Sequence, residues 1–458
     1  MKNNMRRIFF ILAALFLVAA GYLIKLEWKD RPTIIANSYN PRLGRSDPLL
    51  VRGEILDNAG NVLAQTVNGE RQYPYGAACA HVTGYIGISK TGMEAGANYI
   101  LESTPNKFLS TLAAGFRGEL PSGNSVALTV DAGLQQLAYD LIGNRNGAAV
   151  MIEPSTGRVL CMVSRPSFDP AGVADNWDAL RLDESSPLLN RATSGLYPPG
   201  STFKLVTALA ALRSGPAYSG FTYTCTGELN QGNKLLHCFD GKAHGEVDLA
   251  GALAQSCNCY FAQLGLDMGA EALQKAAQSV GFGKPISFPL GAATPAFALT
   301  RDSSESAIME TAIGQGETLV TPLYLAMFTA AIANDGVLMQ PYLLDHVVDP
   351  KGKASDYTIP TQLETLMTAA EAQALTELMQ SVVESGTARA AQTDAFSIAA
   401  KTGTAENAAG ADHSWIVAFA PADDPQVAIA VLLEQAGSNG NAPVIAQQLL
   451  AAALQSAE

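Results

Sequence analysis

The chain has 458 residues, 48% of them hydrophobic and 16% charged, the balance of a globular protein rather than a disordered one. A net charge of −13, with no basic run in the body of the chain, argues against nucleic acid as a partner, because phosphate recognition needs concentrated positive charge. The length allows one large core and one smaller core, so two units are expected.

Ile8 to Ile24 is an unbroken apolar stretch that spans roughly 25 Å as a helix, and Lys25 and Leu26 extend it by snorkelling. Lys2, Arg6 and Arg7 precede it, so residues 8–26 read as a membrane anchor behind a short tail, 1–7. Val18 and Ala20 leave a cleaved signal as the alternative. Lys25, Lys29 and Arg31 lie on the far side, so charge alone leaves the orientation open. Residues 30–122 are short elements rich in Gly, Pro, Asn and Arg, with a strand-turn-strand around Asn58 to Asn61, and Phe116 to Asn124 reads as a linker. From about 126 to 458 the character changes. Asp131 caps a helix through Gly143, and strands at 148–153 and 158–163 flank the turn Pro154-Ser-Thr-Gly. Helices follow at 201–213, 247–255, 258–268, 321–334 and 370–385. The tail alternates strands at 396–401, 414–420 and 426–434 with a helix at 443–456.

Three short signals carry the chemistry. Ser201-Thr202-Phe203-Lys204 follows Pro198, Pro199 and Gly200 and leads into an apolar helical period, which places Ser201 in a first turn with its N–H free to meet an oxyanion. Lys204, three residues on, shares its face and can serve as the base. Ser256-Cys257-Asn258 lies between two helical stretches, where the hydroxyl can pass a proton and the amide can hold a peptide group; N-capping by Ser256 or Asn258 is the competing reading. Lys401-Thr402-Gly403-Thr404 ends a strand whose glycine admits close approach of a substrate. Its lysine and hydroxyls suit a carboxylate, and the Thr404 N–H suits a second oxyanion contact; the competing reading is an edge strand with a solvent lysine. Two decoys, Ser122-Gly-Asn124 and Lys90-Thr-Gly92, precede the serine and sit in loop-like sequence. No Gly-x-Ser-x-Gly occurs, so a Ser-His-Asp triad is disfavoured.

The six cysteines, Cys79, Cys161, Cys225, Cys238, Cys257 and Cys259, form no Cys-x-x-Cys pair and the five histidines are scattered, so neither a metal site nor another cofactor is expected. In an oxidising compartment Cys225 and Cys238 would close a loop as a disulfide; otherwise the cysteines are small reduced hydrophobes.

The three motifs in this order resemble those of penicillin-binding proteins and serine β-lactamases. Arg52-Gly-Glu-Ile, Asn190-Arg-Ala, Tyr197-Pro-Pro-Gly-Ser-Thr-Phe-Lys, Ile313-Gly-Gln-Gly with Thr321-Pro, Gly386-Thr-Ala, Lys401-Thr-Gly-Thr-Ala-Glu and His413-Ser-Trp-Ile-Val-Ala-Phe-Ala-Pro extend the resemblance to class B penicillin-binding proteins over nearly the whole chain. It implies an α+β transpeptidase domain, an antiparallel sheet with flanking helices and an all-helical lobe, on a small β-rich pedestal of the compact actinobacterial or sporulation type. It also implies a single-pass anchor with the N-terminus inside, and a D,D-transpeptidase acting on peptidoglycan stem peptides ending in D-Ala-D-Ala. On that resemblance Ser201 attacks the D-Ala-D-Ala carbonyl, Lys204 is its base, Ser256 relays protons and Asn258 binds the stem peptide. Lys401, Thr402 and Thr404 hold the terminal carboxylate beside Gly403, and the N–H groups of Ser201 and Thr404 form the oxyanion hole. β-Lactams would acylate Ser201, and a SEDS-type glycosyltransferase is the implied membrane partner. Ala400 replaces the family's usual glycine before the Lys-Thr-Gly, and too little chain precedes the catalytic unit for a glycosyltransferase domain.

Two other readings remain: a D,D-carboxypeptidase or β-lactamase of the same fold, and a β-lactam sensor. The first lacks a Glu-x-x-Leu-Asn segment between Ser256 and Lys401 to activate a deacylating water, and the second needs a large cytoplasmic or multi-span region, for which residues 1–7 leave no room.

Overall fold

The computed structural model describes residues 2–25, 50–104, 112, 114–116, 119–231, 234–407, 410–437 and 441–456. The expected elements of residues 30–49, Leu26 of the anchor, and residues 117 and 118 of the linker lie outside them. At the N-terminus the helix Lys2–Lys25 carries a stretch, Met5–Leu23, long and apolar enough to cross a membrane, with none of it covered by the rest of the protein.

A five-stranded antiparallel sheet organises the larger unit, in the order Ala399–Ala405, His413–Ala420, Val427–Leu433, Gly147–Ile152, Val159–Arg165. Val427–Leu433 is buried at every position, because helix Ala442–Ser456 and the apolar helix Pro322–Ala333 both pack on it. That double burial explains its continuous rather than alternating run of apolar side chains. Asp131 caps helix Ala132–Ile142 as the sequence predicts, its side chain accepting the Leu134 N–H. Helices Lys204–Ser214, Leu249–Ala254, Glu305–Ala312 and Ala369–Glu384 gather with Asn258–Ser279 into the helical lobe. The last of these runs eleven residues beyond the expected end at 268, but Gly269, at φ 79°, breaks it there, so the predicted stop is a kink rather than a terminus.

The smaller unit holds a six-stranded sheet in the order Ala354–Ser355, Leu344–Val348, Ser125–Leu128, Ile55–Leu56, Val62–Val67, Glu70–Gln72. Two of its strands come from residues beyond 340, a long-range pairing that sequence adjacency does not reveal. The Arg52 of Arg52-Gly-Glu-Ile is buried there, bonded through Nε to Glu94 at 2.6 Å and through Nη1 to Asn98 and Glu102 at 2.7 and 2.8 Å. Arg71 meets the other Glu94 oxygen at 2.7 Å, and Lys90 joins Glu102 at 3.0 Å. Lys90 of the decoy Lys-Thr-Gly therefore belongs to a structural ion network, not to the cleft.

Candidate active site

All three motifs converge on one cleft of about 1160 Å³ between the sheet edge and the helical lobe, lined among others by Ser201, Ser256, Asn258, Thr402, Gly403 and Thr404. Ser201 sits in a 3₁₀ turn, Gly200–Phe203, that runs directly into helix Lys204–Ser214, so the expected first turn is present but tighter than α-helical. The turn is held from two sides. The Gly200 N–H donates to Gly314 O at 2.9 Å, and the Trp415 Nε1–H donates to Pro198 O at 3.0 Å. Gly200 is at φ 53°, and a Cβ there would lie 2.4 Å from Thr404 O, so only glycine lets this turn lie against the strand.

Lys204 is fully buried. Its Nζ donates to Ser256 O at 2.8 Å, Ser256 Oγ at 3.2 Å and Asn258 Oδ1 at 2.7 Å, so all three ammonium donors are used on the Ser256–Asn258 junction. None is spent on Ser201; the i, i+3 spacing brings the two residues to one cleft but leaves the amine turned to its other neighbour. Burial pushes Lys204 down to about 8. Lys401, also fully buried, donates to the same Ser256 Oγ at 3.1 Å and to Thr402 O at 2.7 Å. Burial first, and the nearby Lys204 charge second, hold it well below the ordinary lysine range. Ser256 Oγ thus stands between two desolvated amines, positioned by a left-handed backbone, φ 54°, that is costly for a non-glycine residue.

The cap of the following helix is neither Ser256 nor Asn258. Cys257 Sγ accepts the Tyr260 N–H, which frees both neighbours, and Asn258 uses its amide to bridge Lys204 and, through Nδ2, His237 O at 3.0 Å.

Ala399–Ala405 is the edge strand of the sheet, so one side of its backbone lacks a strand partner. In an antiparallel strand each residue's N–H and C=O point the same way. Thr402 O takes Lys401 Nζ and Thr404 O lies against Gly200, so the backbone groups of 402 and 404 face the cleft. At Gly403 a Cβ would meet Pro199 O, Thr202 Cγ2 and Trp415 Cβ at 3.0 Å each, so its missing side chain admits the serine turn. Ala400 is buried and pairs with Ala418 without distortion of the ladder.

Residues 147–455 match the family model described as the penicillin binding protein transpeptidase domain, and residues 52–126 match the penicillin binding protein A dimerisation domain. The chain belongs to the penicillin-binding protein transpeptidase family. It is 36% identical to the peptidoglycan D,D-transpeptidase PbpA of Mycolicibacterium smegmatis, over 95% of this chain and 94% of that one. Its fold superposes on penicillin-binding protein A from M. tuberculosis, solved as ceftriaxone and penicillin G acyl-enzyme complexes, at TM-scores of 0.82 and 0.81. The identities are 33% and 35%, with 88% of this chain covered in both and 98% and 100% of those chains.

Within this family frame, three groups around the cleft escaped sequence reasoning. Thr387, from the Gly386-Thr-Ala segment, bonds Thr402 Oγ1 at 2.5 Å, placing another hydroxyl beside the strand. Glu434, directly after strand Val427–Leu433, accepts from Tyr197 Oη at 2.6 Å and Arg191 Nε at 2.8 Å, which ties Asn190-Arg-Ala and Tyr197-Pro-Pro-Gly to the sheet. Periodicity offered no signal for either, because both are contacts between distant segments. The third group is a set of potential ligand side chains that sequence spacing did not single out. Cys225, Cys238, His244 and Cys257 bring their ligand atoms within 4.8 Å of one another, behind the Ser256–Asn258 junction. The search for Cys-x-x-Cys missed them because the four come from separate elements. Cys225 and Cys238 are free thiols 3.6 Å apart, not the expected disulfide.

Proposed function

We propose that this protein crosslinks peptidoglycan as a D,D-transpeptidase, with Ser201 as the acylated nucleophile, and that β-lactams acylate the same serine. The observation that carries the reading is the convergence of two buried, depressed-pKa amines, Lys204 and Lys401, on Ser256 Oγ beside Ser201, along an open strand edge. In the first step Lys204, neutral, takes the Ser201 hydroxyl proton as Oγ attacks the penultimate D-Ala carbonyl. The oxyanion is met by the N–H groups of Ser201 and Thr404, the latter on the cleft side of the strand. Ser256 passes the proton to the leaving terminal D-Ala amine, an ester remains on Ser201, and an acceptor amine from a second stem peptide reverses the sequence. Asn258 aligns the peptide. Lys401, Thr402 and Thr404, with Thr387 behind Thr402, hold the terminal carboxylate, and Gly403 keeps the strand close to the serine turn.

The N-terminal helix would be a single-pass anchor with residues 1–7 cytoplasmic and the catalytic unit outside the membrane, and a SEDS-type glycosyltransferase would be its membrane partner. Residues 30–122 would act as the pedestal and 126–458 as the transpeptidase unit. Ser201→Ala should abolish covalent labelling by fluorescent penicillin while the thermal unfolding midpoint stays within a few degrees; retained labelling places the nucleophile elsewhere. An acyl-enzyme that turns over within seconds would favour a carboxypeptidase or β-lactamase instead. Co-purification of the anchored protein from membranes tests the partner.

A further inference from the structure

We propose that Cys225, Cys238, His244 and Cys257 hold one structural zinc ion, which pins the Ser256–Asn258 junction to the hairpin wall of the cleft. The four ligands come from four places that the fold brings together. Cys225 ends strand Tyr223–Cys225, and His244 directly precedes the strand Gly245–Val247 that pairs with it, with Gly245 opposite Cys225. Cys238 follows the hairpin strand Lys234–His237, and Cys257 sits between helices Leu249–Ala254 and Asn258–Ser279.

Three of the six donor–donor spacings match a tetrahedral site, and the remaining three lie within 4.8 Å. Sulfurs bound to zinc at about 2.3 Å lie about 3.8 Å apart at tetrahedral angles, and a sulfur and an imidazole nitrogen about 3.5 Å apart. The Cys225–Cys238 and Cys238–Cys257 sulfurs are 3.6 and 3.7 Å apart, and Cys225 Sγ is 3.5 Å from His244 Nδ1. Three thiolates and one imidazole form a closed donor set of the kind that takes zinc structurally and leaves no position for a substrate. The cysteines are buried and none is paired in a disulfide, so convergence of the sulfurs is not the by-product of a covalent bridge. A second sphere is in place as well: the Tyr260 N–H points at Cys257 Sγ at 3.4 Å, the backbone donor that a metal-bound thiolate receives. Cys259 lies 3.4 Å from Cys238 but outside the four-atom set.

Binding displaces the three thiol protons to solvent and leaves the metal with its four ligands at a net charge of −1. The consequence for the cleft follows from Cys257 being the middle residue of Ser256-Cys257-Asn258. Asn258 Nδ2 already joins this junction to His237 O, one residue before Cys238. The ion would add a second, stronger link between the same two pieces, holding Ser256 Oγ in place between the lysines.

The test uses the full chain in detergent and does not depend on the roles proposed for Ser201 or Lys204. Elemental analysis of protein prepared with zinc should find about one equivalent per chain. Replacement by cobalt should give thiolate-to-cobalt charge-transfer bands and the visible bands of a tetrahedral ion. Cys225→Ser and His244→Gln should lose the metal at least tenfold more readily to a chelator, whereas Cys259→Ser should keep it. Stripping the wild-type protein should lower its unfolding midpoint, and zinc should restore it. Less than a tenth of an equivalent of zinc in folded protein overturns the proposal. So does mass spectrometry of the unreduced chain that joins Cys238 to Cys225 or to Cys257, and so does equal retention of metal in all three variants.

Discussion

The burial of Lys204 predicts the pH dependence of acylation. A lysine at its ordinary 10.5 is neutral in about 0.03% of molecules at pH 7, whereas one held at about 8 is neutral in about 9%. Desolvation therefore raises the supply of free base roughly 300-fold without any histidine. Because the neutral amine is the active form, the second-order rate constant for acylation by a fluorescent penicillin should rise about tenfold from pH 7 to pH 9 and then level off. Asn258 Oδ1 accepts from the ammonium at 2.7 Å and so favours the charged form. Asn258→Ala should move the midpoint down, by up to about one unit, alongside any loss in overall rate. Lys204→Arg keeps the positive charge but cannot deprotonate, and should cost about a thousandfold or more with the pH dependence gone. Stopped-flow fluorescence across pH 6 to 10 reads all three. A flat wild-type profile, or a Lys204→Arg enzyme that keeps both the rate and the inflection, would refute Lys204 as the base.

Two further outcomes probe the frame around the site. Glu94 is fully buried and bridges Arg52 and Arg71, so Glu94→Gln leaves the buried Arg71 guanidinium without its carboxylate, while Arg52 keeps Glu102, and should cost about 3–5 kcal/mol, seen as a lowered denaturant midpoint with penicillin affinity little changed in the folded fraction. Gly200→Ala forces a Cβ to within 2.4 Å of Thr404 O at a positive φ, so it should cost about 1–3 kcal/mol in backbone strain and slow acylation by separating the serine turn from the strand; unchanged acylation would mean that the turn has other room to move.

Much of this architecture was legible because it is local. The Asp131 cap, the Pro-Pro-Gly break before Ser201, the apolar period after Lys204 and the continuous apolar strand near the C-terminus are written in neighbouring residues. Local steric and hydrogen-bonding rules suffice to read them. The order of the three motifs likewise made Ser201, Ser256 and Lys401 candidates before any fold was known. Tertiary structure decided what spacing cannot express. It turned Lys204 toward Ser256 and Asn258 instead of Ser201, used Gly403 to admit the serine turn, and drew residues 344–355 into the smaller unit's sheet. It also gathered Cys225, Cys238, His244 and Cys257 from four elements into one donor set. The physical reason is common to all four: burial and close approach are set by which distant segments pack together, and desolvation, which lowers the two lysines, exists only once that packing is complete.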